Sequence, residues 1–172
     1  MFFAPAVIGQ TAVNFNCNDC AGNNHDLFTE LDAGKVIVID WVMPCGNCIG
    51  PSITASNVVQ SYASSNPGQV FLYVVDDYAN TNCTTINNWC TTNSITATTF
   101  SNASINMLDY NSTPGMPKIV VLGGGTSHTV YFNQLNAAAG DAVALQAAID
   151  SALATGVEQN ELSDDVHLFP NP

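Results

Sequence analysis

The sequence contains very few basic residues. Its two lysines are Lys35 and Lys118, and it has no arginine. Because it also has fourteen aspartates and glutamates, its net charge is −12. A surface with this charge repels the phosphates of nucleic acids and the headgroups of anionic lipids. The composition therefore argues against a protein that binds nucleic acid or a membrane surface.

The sequence also lacks a long apolar stretch. No segment is long and apolar enough to cross a bilayer, so we predict no membrane span. Residues 1–7 are apolar but lack the basic start and the full apolar region of a complete signal peptide. Charged residues make up only 9% of the chain, and Asn, Thr and Ser supply most of its polarity. This composition favours an exported protein of the periplasm, the cell surface or the medium.

The length fits a single domain with a sizeable core. The chain has 172 residues, of which 47% are hydrophobic, so it is not disordered as a whole. We divide it into a lead-in (1–14), a folded domain (15–156) and a C-terminal tail (157–172) that begins with an acidic linker. Residues 77–114 form an insertion, which either shapes a groove over the active site or decorates the surface. We expect a monomer.

Six cysteines favour an oxidising compartment. They fall into three pairs that are close along the chain: Cys17/Cys20, Cys45/Cys48 and Cys83/Cys90. Fifteen connectivities are possible, and local pairing is the simplest. We predict structural disulfides among Cys17, Cys20, Cys83 and Cys90, with Cys83 bonded to Cys90. That bond requires Cys83 to precede the helix, since seven residues along one helix span about 10 Å.

The most informative motif is Cys45-Gly46-Asn47-Cys48. It follows the apolar run 36–42, which is typical of a buried strand, and precedes a helical pattern. A helix start stabilises the thiolate of a cysteine placed there, and the thiolate is the form that attacks a disulfide. There are two alternatives. One is a zinc site that includes Cys17 and Cys20, and the other is a purely structural Cys45–Cys48 disulfide. Redox chemistry is favoured, so we expect no metal and no cofactor.

Further elements follow from local patterns. We predict strands at 69–75, 118–122 and 129–132, and helices after Cys48, at 82–92 and from Asp141 to Gly156. This order gives an α/β fold with a mixed parallel and antiparallel sheet and helices on both faces. His25 lies in turn-rich sequence, where an exposed histidine is more common than a ligand or a base.

The chain resembles the thioredoxin superfamily. The resemblance covers residues 15–154 and rests on the strand–CxxC–helix order and on Gly115-Met116-Pro117 followed by a strand. It implies a cis-proline at Pro117, packed against the cysteine pair, with the backbone of Met116 free to bind an extended substrate.

The chain departs from the family pattern at three positions. Pro44 replaces the aromatic residue that often precedes the first cysteine, and Pro51 lies two residues earlier than the usual helix proline. Ile39 occupies the position of the family's buried acid. Asp40 follows it and points to the opposite side of a regular strand. It is either a shifted proton acceptor, if a bulge intervenes, or a polar residue at the strand end with another partner.

These features predict a thiol–disulfide oxidoreductase. Cys45, at the helix start, is the expected nucleophile, and the more buried Cys48 resolves the mixed disulfide. The expected partners are exported proteins that carry disulfides or thiols, together with an unknown redox partner. The alternative function is a binding or surface module of the same fold whose cysteine pairs are only structural.

The C-terminal segment 166–172 carries a second resemblance. Val-His-Leu-Phe-Pro-Asn-Pro is similar to the opening of the C-terminal sorting domain on cargo of the type IX secretion system of Bacteroidetes. A proline-ended linker is the alternative interpretation. The resemblance implies export to the cell surface or the medium.

Overall fold

A computed structural model describes residues 9–111 and 113–165, without the side chains of 157–165. Its strands are β1 (Asn16–Asn18), β2 (Asn24–Asp26), β3 (Val36–Val42), β4 (Val70–Asp76), β5 (Thr98–Phe100), β6 (Lys118–Gly123) and β7 (Thr129–Leu135). Its α-helices are α1 (Leu27–Asp32), α2 (Gly46–Ser61), α3 (Cys83–Thr92) and α4 (Ala142–Asp165). Short 3₁₀ helices span Met107–Tyr110, Gly125–Ser127 and Asn136–Gly140. Segment 166–172, with its predicted sorting function, lies outside the described residues.

A five-stranded sheet in the order β5-β4-β3-β6-β7 forms the centre of the fold. β3, β4 and β5 are parallel, whereas β6 and β7 run antiparallel to their neighbours. Every residue of β3 is buried, as expected for a central strand covered on both faces. The predicted α/β fold with a mixed sheet is confirmed.

The sheet separates two apolar clusters. One contains Val38 and Val42 of β3 and packs against α2, α3 and α4. The other contains Ile39 and Trp41 and packs against α1, the β1–β2 hairpin and the 3₁₀ helix Met107–Tyr110. Alternate residues of β3 therefore face different layers of helices.

The insertion contributes to the core. It supplies the edge strand β5, which the polar sequence did not predict, and the fully buried side chains of Phe100 and Met107. The indole N–H of Trp41 donates to the carbonyl oxygen of Ile105 at 2.9 Å. These contacts attach the insertion to the central strands, so it is more than surface decoration.

The predicted disulfide pairing is wrong. Cys20 bonds Cys83 across a sequence separation of 63 residues, whereas Cys17 and Cys90 are free and buried. Cys83 is the first residue of α3, so Cys83 and Cys90 lie on one helix, too far apart for a bridge. The bond instead joins the turn after β1 to the start of α3.

The last helix is longer than predicted. The Asp141 carboxylate accepts hydrogen bonds from the N–H groups of Val143 and Ala144, which is the expected cap. The helix then continues beyond Gly156 to Asp165, so the residues predicted to form the acidic linker are helical up to Asp165.

Candidate active site

Cys45 and Cys48 lie at the junction of β3 and α2. Cys45 is the N-cap of α2, with an extended backbone, and Cys48 lies in the first turn. The N–H of Cys48 donates to the carbonyl oxygen of Cys45 at 3.3 Å, and the two Sγ atoms are 3.9 Å apart. The sulfurs need to approach by about 2 Å to reach a disulfide bond length. The start of α2 therefore holds two thiols that can form a disulfide bond with each other.

The two thiols differ in environment. Cys45 is partly exposed, whereas Cys48 is 1% exposed. Burial raises the pKa of Cys48 to about 12, and the nearby Cys45 and Asp40 act in the same direction. An attacking sulfur must reach its substrate, so this difference suits Cys45 for attack and Cys48 for a later internal step.

Asp40 lies on the cysteine side of the sheet. It is fully buried in β3, and the Ser52 hydroxyl, one turn beyond Cys48 in α2, donates to its Oδ2 at 2.5 Å. Its Oδ1 has no hydrogen-bond partner among the described residues. Burial raises the pKa of Asp40 to about 7, although the Ser52 hydrogen bond opposes the change. Desolvation disfavours its charged form, so Asp40 can exchange a proton near neutral pH.

The pairing of β3 explains the displaced acid. The strand pairs regularly with both neighbours from Ile37 to Trp41, without the bulge that a shifted acceptor was expected to need. Ile39, where the resemblance led us to expect a buried acid, therefore faces the cluster on the far side of the sheet. The bend at Pro44 and Cys45 separates β3 from α2. Together these features place Asp40, and not Ile39, on the side of Cys48.

Met116 and Pro117 line a cavity together with Asn47, which lies between the two cysteines in the chain. The peptide bond between Met116 and Pro117 is cis, and Met116 and Cys45 pack against the cluster that contains Cys48. The cavity, of about 370 Å³, is lined by Asn47 and Pro51 of α2, by Met116 and Pro117, and by Asn136 and Ala137. We call it the Pro117 cavity.

Pro51 and Asn136 shape the Pro117 cavity. Pro51 lies inside α2 and has no N–H, so the carbonyl group of Asn47 lacks its usual helical donor. Asn136 donates its N–H to the carbonyl oxygen of Pro117 at 2.8 Å. Sequence reasoning noted the unusual position of Pro51 but missed Asn136, because only the fold brings the end of β7 to α2.

Lys118 is a buried cation at this edge. It is 0% exposed, and its Nζ donates to the carbonyl oxygens of Met107 at 2.8 Å and Asn111 at 3.1 Å. Burial lowers the pKa of its ammonium group. Its position directly after Pro117 was a signal that sequence reasoning did not use. Lys118 ties the 3₁₀ helix of the insertion to the start of β6.

The prediction that His25 is an exposed turn residue is wrong. His25 lies in β2, and its ring nitrogens face Oδ2 of Asp19 at 3.2 Å and Oε1 of Glu30 at 3.1 Å. The Tyr73 hydroxyl donates to Oε2 of Glu30 at 2.6 Å. Tyr73 belongs to the cluster on the far side of the sheet. The network therefore attaches the hairpin to α1 and stands apart from the dithiol.

The described residues contain no candidate metal centre. No group of three or more His, Cys, Asp or Glu side chains in the described part of the chain is arranged to hold an ion. The predicted zinc alternative needs Cys20, which is bonded to Cys83. No described helix is both long and apolar enough to cross a membrane.

Comparisons with known proteins show the fold. No protein-family model and no curated protein matches the sequence. Among solved structures, the chain is similar to a thioredoxin-family thiol:disulfide interchange protein from Chlorobium tepidum, with a TM-score of 0.62, 14% identity, and 84% of this chain and 97% of that one covered. It is also similar to a secreted disulfide oxidoreductase from Mycobacterium tuberculosis, with a TM-score of 0.58, 18% identity, and 80% and 95% covered. A third is the thioredoxin domain of a thiol-disulfide oxidoreductase from Bacteroides vulgatus, with a TM-score of 0.56, 14% identity, and 78% and 92% covered. These likenesses show that the chain has a thioredoxin-like fold.

Proposed function

We propose that this protein is a thiol–disulfide oxidoreductase whose redox centre is Cys45 and Cys48. The observation that carries the proposal is the pair of sulfurs 3.9 Å apart, one partly exposed at the start of α2 and the other buried. The similar solved structures include proteins described as oxidoreductases, which supports the same chemistry here.

The reaction in the reducing direction has two steps. The Cys45 thiolate attacks one sulfur of a substrate disulfide, forming a mixed disulfide and releasing the first substrate thiolate. Cys48 then loses its proton and attacks the Cys45 sulfur, which forms the Cys45–Cys48 disulfide and releases the second substrate thiolate. Two electrons pass from the protein to the substrate. The reverse sequence oxidises a substrate dithiol.

Asp40 serves as the proton acceptor for Cys48 in this proposal. Its pKa of about 7 allows it to take a proton and to return it at neutral pH. Its carboxylate lies on the same side of β3 as Cys48, under α2. The hydrogen bond from Ser52 holds one oxygen, so the partnerless Oδ1 is the one that exchanges the proton.

Met116 and Pro117 position the substrate. The Pro117 cavity opens beside Asn47, within the Cys45–Cys48 motif. Met116 precedes β6, and in this proposal its backbone groups pair with an extended segment of substrate, as a peptide adds to a strand.

The reduction potential of the Cys45–Cys48 pair tests the proposal. We expect a value between about −120 and −270 mV, whereas a structural disulfide lies below about −300 mV. A value below −300 mV would favour the alternative of a binding module with structural cysteine pairs. Cys45→Ser should abolish disulfide exchange and Cys48→Ser should trap a mixed disulfide. The matched controls Cys17→Ala and Cys90→Ala should retain exchange.

We further propose that the protein is exported and acts on exported proteins. A disulfide outside the redox pair, Cys20–Cys83, supports an oxidising compartment. The resemblance of segment 166–172 to a type IX sorting domain suggests the cell surface or the medium. Fractionation of cells carrying the full-length gene, with and without the sequence from Val166 onward, tests this. Unchanged delivery of the truncated protein would refute the sorting role.

A further inference from the structure

A second cavity lies at the same edge of the sheet as the dithiol. It has a volume of about 240 Å³ and lies between the loops that follow β4 and β5. Its lining residues include Asp77, Tyr78 and Leu108. We call it the Asp77 cavity. The N–H of Asp77 donates to the carbonyl oxygen of Val42 at 3.0 Å. Val42 lies shortly before Cys45 in the chain. Because β4 and β6 flank β3, the Asp77 and Pro117 cavities lie on opposite sides of the central strand.

Asp77 is the acidic residue in the lining of the cavity, and Asp76 precedes it at the end of β4. Asp77 is 8% exposed, and its carboxylate accepts the N–H of Tyr78 at 3.0 Å. The adjacent Asp76 is 1% exposed. Its Oδ2 accepts the N–H groups of Asn80 and Thr81, while its Oδ1 has no hydrogen-bond partner among residues 9–111 and 113–165. Burial and the charge of Asp76 raise the pKa of Asp77.

The described part of the chain provides no cation for these two carboxylates. Lys35 pairs with Glu30, and His25 and His128 face other carboxylates. Lys118 binds two carbonyl oxygens. Buried carboxylates without a counter-ion are unfavourable, so a cation supplied by a bound molecule would gain from this site.

The rim of the Asp77 cavity is apolar and exposed. Tyr78 is 55% exposed and Leu108 is 42% exposed. Lysine and arginine side chains pack their apolar stems on such surfaces, and their cationic groups are attracted to aromatic faces. The cavity is smaller than the roughly 300–1,000 Å³ of small-molecule sites. Its size and chemistry suit a single basic side chain.

We propose that the Asp77 cavity binds a lysine or arginine side chain of the polypeptide substrate, two or three residues from the cysteine that reacts with Cys45. The inference rests on the proposed function. A substrate segment that starts at the Pro117 cavity and crosses Cys45 passes over β3 towards β4. The cavity lies at the ends of β4 and β5, which are one and two strand spacings of about 4.8 Å from β3. An extended chain advances about 3.3 Å per residue, so the basic residue lies two or three residues from the cysteine.

Matched peptides test this inference. Each carries one cysteine in a mixed disulfide with thionitrobenzoate, and either lysine or glutamine three residues away. The protein with reduced Cys45 and Cys48 releases the chromophore, which gives the second-order rate constant. We expect the lysine peptide to react about fivefold faster than the glutamine peptide at low salt, as for a favourable ion pair. The ratio should approach one in Asp77→Asn and in 0.5 M salt.

Two variants guard against indirect effects. Asp109→Asn removes an exposed acid from the same insertion and should keep the fivefold ratio. If Asp77→Asn and Asp109→Asn lower the ratio equally, the preference for lysine comes only from the overall negative charge. Ala103→Lys places a cation at the rim of the cavity and should abolish the ratio even if Asp77→Asn fails to fold. A ratio of one in the unmodified protein overturns the proposal.

A binding measurement separates the two proposals. Peptides with serine in place of cysteine are titrated while the amide resonances of Tyr78 and Leu108 are recorded. If no peptide releases the chromophore, the oxidoreductase proposal fails. Shifts with the lysine peptide alone would then still support the cavity, and equal or absent shifts with both peptides would refute it.

Discussion

Replacing Asp40 with asparagine should change the pH dependence of stability. Folding raises the pKa of Asp40 from 3.8 to about 7 because the carboxyl is buried. Between these values the folded protein binds more protons than the unfolded chain, so the free energy of unfolding falls as pH rises from about 4 to 7. One pKa unit corresponds to about 1.36 kcal/mol, so the total loss is about 4 kcal/mol.

Asparagine has similar shape and no charge, so Asp40→Asn removes this loss. Part of the loss has already occurred at pH 4.5. We therefore expect the free energy of unfolding of Asp40→Asn, relative to that of the parent, to increase by about 3 kcal/mol between pH 4.5 and 8.5. The hydroxyl of Ser52 can still donate to the amide oxygen.

Urea denaturation followed by tryptophan fluorescence measures the effect. Both proteins carry Cys45→Ser and Cys48→Ser, so no reductant is needed and the Cys20–Cys83 disulfide stays intact. Asp109→Asn, which changes an exposed carboxylate, serves as the control and should show little pH-dependent difference. If the difference between Asp40→Asn and its parent is the same at pH 4.5 and 8.5, Asp40 is not a buried carboxyl with a raised pKa.

Three further predictions concern the cysteines and the buried lysine. Iodoacetamide should label Cys45 before Cys48 in the reduced protein, because Cys48 is 1% exposed; mass spectrometry that finds Cys48 labelled first would contradict the assigned roles. Replacing Cys20 and Cys83 together with serine should lower the free energy of unfolding by about 4 kcal/mol, because the bond closes a loop of 63 residues. Unchanged stability in urea would refute a structural role. Lys118→Met should lower stability by about 2–4 kcal/mol, because two carbonyl groups lose their donor. A variant as stable as the parent in the same titration would contradict that contribution.

Local patterns in the sequence were sufficient to predict the main elements. Three signals are each contained in a few consecutive residues: the apolar run of β3, the cysteine pair at the start of α2 and the Met116-Pro117 strand opening. Strand and helix periodicities and the resemblance to thioredoxins depend on such short-range order. The mixed sheet followed from the order of these elements, and the solved structures confirm the fold class.

Only the tertiary structure decided which distant residues meet. Cys20 bonds Cys83 across 63 residues, although closer partners are available along the chain, because the hairpin turn and the start of α3 come together at the sheet edge. The sequence left two roles open for Asp40, and the packing of α2 on β3 brings its carboxyl to the hydroxyl of Ser52, on the side of Cys48. Such contacts depend on how helices cross the sheet, which short-range periodicity does not encode.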